Sequence, residues 1–168
     1  SLNAKGVRVI TKGEGVYLWD SEGNKLLDGM AGLWCVNVGY GRSELVEAAR
    51  LQMQELPYYN TFFQSTTMPA TELSAALSEI TPEGFNHAFF ANSGSEANDT
   101  VVRMVRRYWD LKGCKNKKTI ISRNNAYHGS TMAGASLGGM NYMHEHGELP
   151  IPGIVHIEQP YWYHLGGD

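Results

Sequence analysis

Phe90-Ala91-Asn92-Ser93-Gly94-Ser95-Glu96-Ala97 decides the architecture. A short apolar stretch, His87 to Ala91, delivers the chain into a turn of small polar residues. A long helix then follows from Glu96 to Lys112, with Ala97, Val101, Met104, Val105, Tyr108 and Leu111 at helical spacing. Gly113 stops it, and Thr119 to Ser122 reads as a β-branched strand. Strand, tight turn, helix and strand make a βαβ unit, which predicts two parallel strands covered by the helix. Ile154 to Ile157 offers a further strand after the Gly-rich passage 129–153.

Upstream the pattern changes. Val7 to Ile10, Val16 to Trp19 and Lys25 to Asp28 read as short strands, the last two joined through the polar turn Asp20-Ser21-Glu22-Gly23-Asn24 as a hairpin. Gly29 to Gly41 has neither helical nor strand period and reads as a loop. Ser43 is the expected N-cap of a helix to about Leu56. Pro57 and the aromatic run Tyr58-Tyr59-Asn60-Thr61-Phe62-Phe63 end it, and a second helix spans about Pro69 to Ile80, with Leu73, Ala76, Leu77 and Ile80 inward. The expected organisation is α/β, with a small N-terminal α+β lobe over 1–68 and the first part of a large, mainly parallel-sheet domain over 69–168.

Composition removes several function classes. The 168 residues are 42% apolar with a formal net charge of −3, which gives no basic face for nucleic acid. Arg103–Arg106–Arg107 on a helix and Lys112–Lys115–Lys117–Lys118 in a turn read as solvated surface. Cys35 and Cys114 fit no metal spacing and read as reduced thiols of a cytoplasmic protein. No apolar run reaches membrane-spanning length, and no signal peptide precedes Val7. The chain opens on Ser1-Leu2-Asn3 without an initiator Met and stops at Gly166-Gly167-Asp168, so a piece of a longer protein is expected.

The Asn92–Ala97 turn is where chemistry can sit. The first turn of a helix has unpaired N–H groups and the positive end of the dipole, a ready anion site. Gly94 lets backbone approach phosphate oxygens, and Ser93 and Ser95 add hydroxyls. Ser93-x-x-Glu96 also fits a capping box, so a bound phosphate and a merely well-capped helix both remain open here. The turn matches neither the dinucleotide nor the triphosphate glycine pattern, and lacks the serine-hydrolase elbow. Asn125-Ala126-Tyr127-His128-Gly129-Ser130-Thr131 follows a strand at the same sheet edge, where ligands of open α/β sheets bind. Tyr127 stacking on a heteroaromatic ring with His128 bonded to it, and Tyr127 simply packing the turn, are both compatible with the pattern. His144 and His146 flank Glu145, but no third metal ligand is placed.

Asn92-Ser93-Gly94-Ser95-Glu96-Ala97 and Tyr127-His128-Gly129 together resemble the class III (ω-) aminotransferases of the pyridoxal-phosphate fold-type-I superfamily. Tyr17-Leu18-Trp19-Asp20 with Gly23 and Leu27-Asp28-Gly29 is similar to that family's opening hairpin. Gly32-Leu33-Trp34-Cys35-Val36-Asn37-Val38-Gly39-Tyr40-Gly41, Arg103 to Trp109 and Leu149 to Gly153 resemble its ω-amino-acid:pyruvate and amine:pyruvate branch. The likeness covers nearly all 168 residues. It implies a transaminase moving an amino group from an ω-amino acid or primary amine to pyruvate, with pyridoxal 5'-phosphate as cofactor. A same-fold aminomutase or decarboxylase, or a non-catalytic truncated fragment, are the alternatives.

Carried over by position, the resemblance implies that Ser93, Gly94 and Ser95 bind the cofactor phosphate, Tyr127 stacks on its ring and His128 lies beside it. Trp34 would wall the substrate pocket, though a tryptophan in an apolar loop also reads as core. Phe62 would enter the site of a homodimer partner, though 58–63 also reads as an ordinary apolar patch. Ser130 would border the small side of the pocket. The Schiff-base lysine and the acid that protonates the pyridine nitrogen are expected beyond Asp168. Lys5, Lys12, Lys25, Lys112, Lys115, Lys117 and Lys118 receive no catalytic role. The 168-residue chain given pyridoxal phosphate is therefore expected to show no absorbance of a lysine adduct, and a stable adduct would overturn that expectation.

Overall fold

The computed structural model describes residues 6–145 and 147–166. Readings that fall on Ser1 to Lys5, His146 and Gly167-Asp168 lie outside the described residues. The chain forms two units, one up to Ala76 and one from Leu77 onward.

The first unit is built on an antiparallel sheet of β1 (Ile10–Glu14), β2 (Tyr17–Asp20) and β3 (Lys25–Leu27) in that order. The β2–β3 register is Tyr17↔Leu27, Leu18↔Leu26 and Trp19↔Lys25, the hairpin expected from the polar turn. Asp20 organises that turn. Its carboxylate accepts from the Glu22 amide at 3.0 Å, the Asn24 amide at 2.9 Å and the Asn24 side chain at 3.0 Å. Gly23 supplies the positive φ, 84°. β1 lies later than the apolar stretch Val7–Ile10 suggested. Only Ile10 of that stretch enters the ladder, opposite Asp20, and an irregularity precedes Lys12. Backbone pairing, rather than apolar alternation, carries the strand on through Thr11 to Glu14.

The loop after β3 holds a feature that hydrophobic period does not report. Ala31–Trp34 is one helical turn, and its φ values are 48°, 61°, 65° and 67°. The turn is left-handed. Only Gly32 occupies that region without steric cost; the other three residues cost roughly 1–2 kcal/mol each. Helices α1 (Ser43–Glu55) and α2 (Met68–Ile80) follow. Ser43 is the first helical residue, and Arg42 occupies the cap position without a side-chain capping bond to the helix start. Neither helix has a buried residue among those described, so Leu73 and Ile80 do not face a core here, against expectation.

The second unit contains α3 (Gly94–Leu111), β4 (Ile120–Arg123), α4 (Met132–Leu137), α5 (Asn141–His144), β5 (Ile154–Ile157) and α6 (Trp162–Leu165). β4 and β5 are parallel, with Ile120↔Ile154 through Arg123↔Ile157 in register. The expected strand over His87 to Ala91 does not form. No strand pairs with it among the described residues, and a strand exists only through its ladder. The parallel partner of β4 is therefore β5, and the intended βαβ unit is replaced by a crossover through α4 and α5. The core comprises Val102 of α3, Ala133 and Leu137 of α4 and Ile154 of β5, with Ile120 and Ile151 packed against it. Fully burying a Val, Leu or Ile side chain contributes about 1.5–3 kcal/mol.

α3 does not bury its main apolar stripe. Val102 is its buried residue, whereas Val101, Met104, Tyr108 and Leu111 are exposed among the described residues. Two of its neighbouring cations are also not simple solvated surface. Arg106 Nη2 donates to the Pro152 carbonyl at 2.8 Å, and Lys118 Nζ bonds both the Arg106 carbonyl and Asp110. Ser136, fully buried, donates to the Met132 carbonyl and accepts from the Ile151 amide, so α4 carries no orphaned polar group there.

The hairpin turn makes a pH-dependent contribution. The Asn24 side chain beside Asp20, the turn amides and Arg8 hold that carboxyl below its ordinary value despite burial. A depressed pKa means a contribution complete above the ordinary aspartate value and lost as pH falls through the lowered one. In Asp20→Asn the exchange protection of the Glu22 and Asn24 amides is expected to be lower and to lose this acid-side transition. Hydrogen exchange against pH measures both.

Candidate functional site

The turn before α3 is shaped by its own caps. Ser93, extended at φ −154° and ψ 159°, is the N-cap, and its Oγ accepts from the Glu96 amide at 3.2 Å. Glu96 reaches back to accept from the Asn92 amide at 3.0 Å and the Asn92 side chain at 3.2 Å. The Ala97 amide takes the Ser93 carbonyl at 3.1 Å. The capping box is therefore real, shifted by one residue at its acidic arm. It leaves the Gly94 and Ser95 amides, among the described residues, without a protein acceptor at the start of an 18-residue helix.

The 127–131 turn is fastened to that helix start. Ser95 Oγ accepts from the Ser130 amide at 3.1 Å, and the Asn98 side chain donates to the His128 carbonyl at 2.7 Å. Asp99 accepts from the Ala133 amide at 3.2 Å. Gly129 has φ 121°, and a β-carbon on it would run into Ser95 Oγ and stand 2.8 Å from Ser95 Cβ and 2.9 Å from Ser95 Cα. Glycine is thus demanded twice, by the backbone angle and by the close approach. Thr131 then caps α4, its Oγ1 accepting from the Gly134 amide at 3.2 Å.

Between the two segments lies a cavity of about 340 Å³ lined by Gly94, Ser95, Asn98, Tyr127, His128 and Gly129. A β-carbon on Gly94 would meet nothing within 4 Å, so the space over the helix start is open to a ligand. Two unpaired amides, and a Ser95 hydroxyl whose proton is not taken by Ser130, suit a phosphate dianion. Tyr127, more than half exposed, supplies an aromatic ring on the same wall. The residues present fit a phosphorylated heteroaromatic group.

Of the residues named from sequence, Gly94, Ser95, Tyr127 and His128 are brought together around this cavity. Ser93 caps the helix and does not line it. Ser130 stands behind the wall, holding Ser95 through its amide. Trp34 and Phe62 belong to the first unit, where both rings are largely exposed. Asn98 and Gly129 were not singled out. Asn98 lies four residues after Gly94, one helical turn along the same face, and that spacing could have found it. Gly129 follows Tyr127-His128 directly, and its necessity becomes visible only with its φ. Among the described residues no three His, Cys, Asp or Glu side chains group to hold a metal, and His146 lies outside them.

A model of the aminotransferase class-III family matches residues 2–166. The chain is 68% identical over 167 residues to a putrescine–pyruvate aminotransferase of Pseudomonas aeruginosa, covering 99% of this chain and 37% of that protein. It is 46% identical to a vanillin aminotransferase of Capsicum annuum, over 95% of this chain and 36% of that one. An (S)-enantioselective ω-transaminase from Thermomicrobium roseum superposes with TM-score 0.92 at 43% identity, over 98% of this chain and 36% of that one. An ω-transaminase from Pseudomonas jessenii in complex with PMP gives TM-score 0.93 at 40% identity, over 97% and 36%. The chain spans little more than a third of the length of the relatives it matches.

Gly129→Ala tests the cradle. The added methyl must displace Ser95 and sit at a strained φ, which is expected to destabilise the second unit by about 1–3 kcal/mol. Anion affinity of the cavity should fall with it, read as weaker pyridoxal phosphate binding in a titration of the full-length protein.

Proposed function

The chain belongs to the class-III aminotransferases, and from that premise we propose that the full-length protein is a pyridoxal-phosphate-dependent transaminase moving an amino group from a primary amine or ω-amino acid to pyruvate. The 68% identity across 99% of the chain to a putrescine–pyruvate aminotransferase carries this reading. A short diamine is accordingly the donor to test first.

In this reading the Gly94 and Ser95 amides and the Ser95 hydroxyl hold the cofactor phosphate, with the dipole of α3 favouring its charge. Tyr127 covers one face of the ring and keeps water from it, and His128 lies beside it. When bound, pyridoxal phosphate supplies an electron sink for the negative charge left on the carbon that loses its proton. Asn98 keeps the Tyr127–His128 turn in place through the His128 carbonyl. Ser93 acts by capping α3, so that the two amides next to it stay aimed into the cavity. Trp34 walls the donor pocket, and Ser130 borders its small side. The lysine that moves the proton is proposed to lie in the part of the relatives' length that this chain does not span.

A homodimer, with Phe62 entering the partner's site, and a cytoplasmic setting belong to the same proposal. The first is supported by the exposed rings of Tyr58, Phe62 and Phe63. The second is supported by Cys35 and Cys114, which are unpaired thiols.

Full-length protein incubated with putrescine or β-alanine, pyruvate and pyridoxal phosphate is expected to produce alanine. Release of carbon dioxide from the carboxyl group of β-alanine, or migration of its amino group within the molecule with pyruvate left unconsumed, would instead indicate a decarboxylase or an aminomutase. Ser95→Ala should weaken cofactor binding by about tenfold, as expected for losing a hydrogen bond to a charged group.

A further inference from the structure

The left-handed turn at Ala31–Trp34 is fastened from outside itself. Asp28 Oδ1 accepts from the Met30 amide at 3.1 Å, and Oδ2 accepts from the Gly32 amide at 2.8 Å and the Tyr40 hydroxyl at 2.6 Å. One carboxylate thus grips the turn at its start and middle, and grips an aromatic residue twelve positions on. Tyr40 is itself anchored to the sheet. Its amide donates to the Gly15 carbonyl at 2.8 Å, and its carbonyl accepts from the Gly15 amide at 3.0 Å. Its ring rests on Gly13, where a β-carbon would come within 2.7 Å of Tyr40 Cγ. A β-carbon on Gly32 would equally come within 3.0 Å of the Tyr40 hydroxyl. A continuous path of contacts therefore runs from the end of β1 through Tyr40 and Asp28 into the turn that bears Trp34.

Three non-glycine residues within one four-residue turn, Ala31, Leu33 and Trp34, do not stay at positive φ unless their surroundings fix them. The turn's own bonds are Trp34 amide to Met30 carbonyl at 2.8 Å, and the Cys35 and Val36 amides to the Ala31 carbonyl at 2.9 and 2.8 Å. These close the turn but would equally close a right-handed one. The Asp28 carboxylate, directly after β3, adds a constraint from outside the turn, because the Met30 and Gly32 amides both donate to it, one to each oxygen.

We propose that Asp28 is a positioning residue, holding residues 31–34 in the left-handed turn through the Met30 and Gly32 amides and the Tyr40 hydroxyl, and so setting the direction of the Trp34 ring and the donors admitted beside it. The effect on donors rests on the reading of Trp34 as a pocket wall; the hold on the turn does not. The electrostatics agree with the geometry. The Tyr40 hydroxyl and the Gly32 amide keep the Asp28 carboxyl below its ordinary value, and Asp28 raises that of Tyr40. Acceptor and donor therefore both keep their roles through neutral pH.

The test uses full-length enzyme carrying Asp28→Asn, Tyr40→Phe, both together, and Trp34→Ala. Three readouts are needed: exchange protection of the Gly32 and Trp34 amides, donor KM and kcat, and the ratio of kcat/KM for a bulky aryl amine to that for a short diamine. Asp28→Asn and Tyr40→Phe are each expected to lower the protection and raise the diamine KM by about tenfold, with kcat changed less. Each should move the donor ratio in the direction Trp34→Ala moves it. The double variant should add little, because both changes break one assembly. Should Asp28→Asn not fold, Tyr40→Phe carries the same comparison, since it removes one hydroxyl and keeps the ring on Gly13. Unchanged protection in both single variants overturns the proposal, as does lowered protection with unchanged KM while Trp34→Ala alters the ratio. If Trp34→Ala leaves the ratio untouched, the pocket-wall reading fails, and the protection of Gly32 alone decides whether Asp28 holds the turn.

Discussion

Ser95 lies where a β-carbon on residue 129 would have to be, and the second unit is arranged around that near-contact. Because Gly129 lets the two backbones close, the Ser130 amide reaches Ser95 Oγ and the Asn98 side chain reaches the His128 carbonyl. The turn ends on Thr131, which starts α4 and thereby places Ala133 and Leu137 in the core with Val102 and Ile154. Cavity and core are consequences of one approach. Neither segment alone would present two free amides and an aromatic ring to the same volume.

Much of this was legible in the residue order, and the exceptions share a cause. The Asn92–Ala97 turn, the hairpin turn at Asp20 and the stop at Gly113 are local, set by caps and positive φ within a few residues. Sequence reads such features well. The strand over His87 to Ala91 is not local, since it exists only by pairing, and no partner for it is among the described residues. The buried face of α3 is likewise not set by local pattern. Val101, Met104, Tyr108 and Leu111 form the obvious apolar stripe, but what packs on the helix here is α4, through Val102 and Asp99, and the turn ahead of it, through Ser95. Hydrophobic period reports which face can be buried, not which neighbour arrives.

The loop over residues 29–41 shows a second limit. No period was visible because the chain makes a single turn of the wrong hand, a conformation that three of its four residues disfavour. Only Gly32 hinted at it. Gly94, Ser95, Tyr127 and His128 were named from motif chemistry and line one cavity. Asn98 escaped notice because amides support the walls without doing recognisable chemistry. Ser93 is employed by the capping box, legible in the same four letters, and stands outside the cavity lining.

The bond between Ser130 and Ser95 also has a meaning for the lifetime of the chain. Local opening that exposes the 124–139 segment to a protease must break this bond, and it empties the cavity as it does so. A molecule seated between Tyr127 and the start of α3 therefore favours the closed form by mass action, in proportion to its concentration over its dissociation constant. Loading the site and resisting degradation become one equilibrium.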